Sequence, residues 1–258
     1  VKIPKQKDIN FPKGIFYKPE KIIIFKNNLN YKSNEGFKNS NFKININKNS
    51  YTKIFNSFKK RIKSGETYQI KICTKYKTKS KIDPLDFFSR LSKTNLAPEA
   101  FMIKDKNYSI ISCSPENLIT KKGSAISTKP IAGTVKKIKS LNKIKALNYF
   151  KKNIKETKEH NMIVDMERND LSRICEPSSV IISKKKYVEE YKHLYHYVTT
   201  IKGVIKKNIS IKNIIQSMMP GGSVIGCPKI RTLELLNKQE KEDRNIFTGS
   251  FGYIKFNK

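Results

Sequence analysis

Apolar and polar positions along the chain fall into blocks whose period switches between helical and strand-like spacing. Tyr51, Ile54, Phe55, Phe58 and Ile62 follow the spacing of one helix face. A helix is therefore expected from Ser50, a side chain suited to capping, to a stop at Gly65. From residue 67 to 76 the period drops to two: Tyr68, Ile70 and Ile72 alternate with Gln69, Lys71 and Cys73. This predicts a strand with one apolar face and Gln69 on the other. Asp83-Pro84 supplies a cap and a favoured first helical residue, so a short helix is expected through Leu91.

Strands are expected at 100–104 and 108–113 around an Asp-Lys-Asn turn, and at 118–121 and 125–128 around Gly123. The pattern is helical from about 140 to 174. Strand-like stretches return at 180–183 and 198–204. Helices at 211–218 and 228–238 flank a Gly-rich loop, and 247–256 again reads as strand. Residues 1–49, rich in Lys and Asn with one strand candidate at 22–25, read as a lead-in to a single domain over 50–258. Strands and helices are grouped rather than alternating, which favours an α+β layered fold with antiparallel sheets over a doubly wound one.

Composition narrows the class. The chain has 258 residues, enough to bury a substantial core, and 37% of them are hydrophobic. No apolar run reaches the roughly 18 residues of a membrane span, and the N-terminus lacks the apolar core of a signal peptide. A soluble, cytoplasmic protein with no membrane partner is expected. The formal charge of +33 invites a polyanion-binding reading. Nearly all of it is Lys, however, spread evenly among Asn and Ile, with no element concentrating Arg and aromatics. No specific nucleic-acid partner is expected, although the charge can draw in an anionic substrate. Cys73, Cys113, Cys175 and Cys227 stand far apart with no CxxC pair, which argues against a zinc site or a disulfide framework. They read as small buried hydrophobes.

The sharpest local signal is the run Lys155-Glu156-Thr157-Lys158-Glu159-His160, followed by Met162-Ile163-Val164-Asp165 and Arg168-Asn169-Asp170. Glu156 and Glu159 share a helix face, and two carboxylates there could hold a hard cation such as Mg²⁺. A solvated face of Glu–Lys pairs accounts for the same pattern. The loop Gly221-Gly222-Ser223-Val224-Ile225-Gly226 is no phosphate loop, because Cys227 stands where a Lys is needed. Free amides at the helix start by Pro228 could face an anion, or the glycines could simply permit a tight turn.

Several unusual segments occur in a fixed order: Tyr68-Gln69-Ile70, Ser114-Pro115-Glu116, Lys129-Pro130-Ile131-Ala132-Gly133-Thr134, the Glu-rich helix, Cys175-Glu176-Pro177, and Pro220-Gly221-Gly222-Ser223 with Gly226-Cys227-Pro228-Lys229. Together they resemble the chorismate-binding enzyme family from about residue 50 onward. The resemblance implies an α/β sandwich of two large, mostly antiparallel sheets flanked by helices, and Mg²⁺ holding a carboxylate of chorismate. It makes Glu116 the general acid for the departing C4 hydroxyl, a task suited to a carboxyl whose pKa burial raises. It makes Glu156 and Glu159 the metal-side carboxylates, Gly133 and Thr134 the substrate-contacting pair, and His196 the histidine near the ring carboxylate. Read by itself, His196 is an ordinary core histidine and Glu116 a surface Glu.

By the same resemblance Gln69 decides the nucleophile. Family members that add water look for a Lys there, because water must be deprotonated to attack. Ammonia needs only positioning, which a neutral amide provides. Ammonia would come from a separate glutamine amidotransferase subunit. The expected product is 4-amino-4-deoxychorismate, on the route to para-aminobenzoate and folate, with anthranilate as the alternative. Ala132 stands where many aminodeoxychorismate synthases carry an attacking Lys, leaving Thr134 as the other candidate nucleophile. Cys175-Glu176-Pro177 and Thr248-Gly249-Ser250-Phe251-Gly252-Tyr253 are nonetheless closer to those enzymes than to anthranilate synthases. The family places further site residues, an Arg, a Gly-rich carboxylate loop and a second metal-binding Glu, past Lys258, so the domain reads as truncated at both ends. Phe247 occupies a substrate-side position where the family often has Tyr. The alternative of a different class is an inactive, polyanion-binding protein on the same fold.

Overall fold

A computed structural model describes residues 15–23 and 41–255. Strand β1 (Lys43–Ile44) leads into helix α1 (Lys48–Lys63), which Asn47 caps through the Ser50 N–H. Ser50 is thus inside the helix rather than its cap; Asn47 accepts the same kind of bond three residues earlier. Only Phe58 of the expected face is fully buried. The strand expected over 67–76 is reduced to β2 (Gln69–Ile70) and β3 (Tyr76–Lys77), because their partners are equally short. Ile70 and Ile72 still pack against Phe58, Leu235 and Leu236, while Tyr68 is exposed. Of the strand candidate at 22–25, Ile22 and Ile23 are exposed and in no strand, and the other two residues lie outside the described part.

Asp83 caps α2 (Pro84–Thr94), which runs one turn further than expected. The hairpin β4 (Glu99–Lys104) and β5 (Ser109–Ser114) follows, then β6 (Thr120–Lys122), β7 (Ala125–Thr128) and β8 (Ile131–Lys136). The helical stretch is two helices, α3 (Lys143–Lys152) and α4 (Ile154–Ser172), broken at Asn153, whose side chain re-caps the chain at the Glu156 N–H. Next come β9 (Ile181–Glu190), β10 (Leu194–Val204), α5 (Ile211–Met218), the single turn α6 (Gly222–Ile225), β11 (Gly226–Cys227) and α7 (Lys229–Gln239). Residues 247–255 form no strand. Their alternation is real, but no described strand pairs with them through its backbone; Phe251 instead stacks on Phe101 of β4 at 4.1 Å.

The fold is α+β with antiparallel sheets. Among the described residues one sheet is large, with five strands, and three others have two strands each. β10 is its centre: β9 pairs along one edge, while β8 and β7 share the other. Alternate residues of β10 face the helices. Tyr195 and Tyr197 pack with Phe150 of α3, and Ile201 packs with Val164 and Leu171 of α4. The intervening residues, His196 among them, face the other way. β9 carries Lys184 and Lys185 exposed, charges that discourage edge-to-edge pairing. No described helix is long and apolar enough to cross a membrane. The four cysteines are unbridged: Cys175 lies in the core beside Leu171 and Ile201, and the other three are half-buried.

Candidate active site

The site starts from strand register. β8 pairs with β10 so that Thr134 lies opposite His196, and the Thr134 hydroxyl sits 2.9 Å from His196 Nδ1. On the other edge of β10, His196 is opposite Glu189, which accepts hydrogen bonds from Tyr187 and Tyr191 and an ion pair from Lys129 at 2.6 Å. The Tyr191 ring meets His196 edge-on at 5.0 Å. Burial lowers the His196 pKa, which leaves the imidazole neutral at pH 7. Its Nε2 is buried with no protein partner.

Between Thr134 and Ile131 the pairing slips, so that Ala132 and Gly133 together oppose Tyr197 in a β-bulge. Gly133 has φ of +110°, and a Cβ there would lie 3.0 Å from the Phe150 ring and 3.1 Å from Glu156 Oε2. Glycine is required on both counts, and the bulge brings the first α4 carboxylate against the Gly-Thr segment.

Gln69 reaches the second α4 carboxylate: its Nε2 donates to Glu159 Oε1 at 2.5 Å. Backbone atoms hold its strand. Thr67 Oγ1 is 2.9 Å from the Gln69 carbonyl and 2.7 Å from that of Cys227, while Tyr68 and Lys71 donate to Cys227 and Ile225. Gly226, at φ +125°, is the close approach that allows this, since a Cβ would stand 2.0 Å from the Gln69 carbonyl oxygen. The Gly-rich loop thus serves strand pairing.

Glu116 lies in the turn between β5 and β6. It accepts from the Ile131 N–H at 3.2 Å and the Ser223 hydroxyl at 3.3 Å. Burial raises its pKa, opposed by those two donors and by the charge of Lys71. The result is a carboxyl biased toward its protonated form, anchored to the start of β8. Beside it a cleft of about 390 Å³ opens between Pro115, Ile131, Lys129, Glu189 and Tyr191.

The chorismate binding enzyme family matches residues 5–258. The chain belongs to that family. It is 33% identical to aminodeoxychorismate synthase component 1 of Bacillus subtilis over 80% of this chain and 44% of that protein. It is 35% identical to anthranilate synthase component 1 of Buchnera aphidicola over 82% of this chain and 42% of that one. Among solved structures, anthranilate synthase component I from Streptococcus pneumoniae superposes with a TM-score of 0.75 at 29% identity, covering 83% of this chain and 47% of that one. The chain spans about half the length of the curated relatives it matches.

Within this member of the family the expected residues divide into three groups. Thr134 meets His196, and Gly133 lies against Glu156; Gln69 meets Glu159; and Glu116 joins β8 through Ile131. Phe247 stands apart from all three, 59% exposed in the turn after α7, with no side-chain hydrogen bond or ring stacking. Glu156 and Glu159 are hard oxygen donors suited to Mg²⁺, which keeps several waters and binds few protein carboxylates. No described cluster of three or more acidic, His or Cys side chains could hold a metal by itself. The two glutamates fit such an ion as partial ligands, with water or a substrate oxygen completing the sphere.

Sequence reading passed over several polar groups in and near the site. His160 and Glu167 occupy the buried stripe of α4 with Ile163, Val164 and Leu171, and polar side chains at i and i+7 of a stripe whose i+3 and i+4 positions are apolar were the available signal. Thr128 donates to Glu167 at 3.1 Å, and burial, with the neighbouring Asp170 charge, lifts the Glu167 pKa to about 7. Asp170 pairs with Lys229, which also reaches the Met218 carbonyl at 3.1 Å.

Proposed function

We propose that the protein takes part in Mg²⁺-dependent amination of chorismate with ammonia, giving 4-amino-4-deoxychorismate. The observation that carries this reading is Gln69. Its amide N–H₂ is committed to Glu159, and its carbonyl oxygen is a buried acceptor with no protein partner. An acceptor is what ammonia, with three N–H donors, requires for positioning. Water would need a base instead, and a neutral amide supplies none.

The other residues take roles their surroundings support. Glu116, biased toward the acid form, protonates the departing hydroxyl. Gly133 and Thr134 contact the substrate, with His196 orienting the Thr134 hydroxyl. Glu156 and Glu159 hold Mg²⁺, which supplies electrostatic stabilisation of the substrate carboxylate when bound. Ammonia is delivered by a glutamine amidotransferase subunit, and the protein works in the cytoplasm. Relatives named for both chorismate aminations, together with Ala132 in the motif, support anthranilate as a second reading.

Incubation of the protein with chorismate, Mg²⁺ and ammonium at mildly alkaline pH tests this, with products resolved by mass and fluorescence. Aminodeoxychorismate is expected, and chelation with EDTA should abolish it. Anthranilate would establish the second reading, and isochorismate would overturn the role given to Gln69.

A further inference from the structure

His160 takes no part in the chemistry above, yet it is fully buried at the junction of four elements. It projects from α4, one residue after Glu159. Its Nδ1 lies 3.0 Å from the Ala132 carbonyl on β8 and its Nε2 lies 2.7 Å from Thr199 Oγ1 on β10. Thr199 Oγ1 in turn accepts the Lys186 N–H from β9 at 3.1 Å. The protons follow. A carbonyl can only accept, so Nδ1 carries hydrogen and donates to Ala132. In the neutral ring Nε2 must then accept, so the Thr199 hydroxyl donates to it. The Tyr197 ring, 4.5 Å away, fixes the imidazole plane from one side.

Ala132 is one of the two residues that oppose Tyr197 in the bulge. A bulge interrupts the ladder, and a buried carbonyl without a ladder partner is costly unless another donor reaches it. His160 is that donor. That carbonyl belongs to the Ala132–Gly133 peptide itself, the plane about whose N–Cα bond Gly133 turns to its φ of +110°.

We propose that His160 is a positioning residue for substrate binding: through Nδ1–H and the Ala132 carbonyl it sets the Ala132–Gly133 peptide plane, and hence how Gly133 and Thr134 meet chorismate. The inference rests on the chorismate reading for its ligand, but the tether itself can be tested without turnover. Two variants separate the two nitrogens. His160→Asn keeps a donor near Nδ1 and loses the reach to Thr199; His160→Gln keeps the reach and loses the Ala132 bond.

In ¹⁵N-labelled protein the His160 ring should carry hydrogen on Nδ1, as its bond to the Ala132 carbonyl requires. The Gly133 amide peak should shift in His160→Gln and stay near its wild-type position in His160→Asn. With chorismate, His160→Gln should raise KM about tenfold, the worth of one buried hydrogen bond, with kcat little changed. His160→Asn should stay within about threefold of wild type. Where turnover is too slow to follow, the dissociation constant of chorismate by calorimetry replaces KM.

A purely structural histidine would lower the melting temperature in both variants and leave KM alone, which overturns the proposal. An Nε2–H tautomer, or a Gly133 peak unmoved in His160→Gln, overturns it too. Wild-type protein that neither binds nor converts chorismate, while the Gly133 peak moves as expected, would sink the chorismate reading and leave the tether standing.

Discussion

Helix α4 carries acids at both ends, and the two ends treat them in opposite ways. Glu156 and Glu159, in its first two turns, are half-buried and meet the Gly133 segment and the Gln69 amide. Glu167 and Asp170, two turns further on, are 3% and 2% exposed, between β7 and α7. Side-chain chemistry is the same at both ends; access to water and the choice of partner differ. On the proposed reading, the first pair is shared by a cation and the substrate. At the second pair one acid is matched by Lys229 and the other is biased toward its neutral form, which keeps a single net charge balanced in the core.

Removing the buried counter-ion should have the largest effect. Lys229→Met leaves Asp170 charged without its partner and should cost about 3–5 kcal/mol in urea unfolding, because an uncompensated buried charge is left behind. A loss under 1 kcal/mol would mean that water reaches the pair. At the other end, Glu159→Gln should leave stability within about 0.5 kcal/mol and lower chorismate turnover about 100-fold at fixed Mg²⁺. If instead it unfolds the protein without affecting the turnover of what remains folded, the two ends of the helix are not different in kind.

Glu167→Gln sharpens the contrast further. The folded-state pKa of about 7 lies above the unfolded value, so the native state holds the proton more tightly and stability falls as pH rises through the interval up to about 7. The Gln variant carries no such proton. Relative to wild type it should gain about 1–3 kcal/mol between pH 5 and pH 8, read as a change in the difference of melting temperatures. A difference that stays flat with pH would show Glu167 already ionised at pH 5.

Much of this was visible in the residues. The helix at 211–218 and the strand at 125–128 match their patterns, because caps and alternation there agree with the tertiary partners. The motif order placed Thr134, His196, Gln69 and Glu159 in one site, and the fold pairs Thr134 with His196 and Gln69 with Glu159, contacts that sequence spacing could not give. What escaped had physical causes. β8 carries Gly133 and follows Pro130, both poor strand signals, and exists because a bulge accommodates them. The break at Asn153 was hidden because the residues on both sides favour helix, and only the cap on Glu156 N–H restarts the chain. Residues 247–256 have the alternation of a strand, but alternation fixes a face and not a neighbour.

The hold on β2 bears on how this scaffold can change its chemistry. Main-chain bonds from Tyr68 and Lys71 to Cys227 and Ile225, the Thr67 hydroxyl and the bare Cα of Gly226 fix the strand, and the Gln69 side chain contributes only its bond to Glu159. On the proposed reading, a single codon can therefore exchange the group presented to the incoming nucleophile while the track that carries it is inherited intact. Diversification at this position is cheap, whereas any side chain at 226 would derail it.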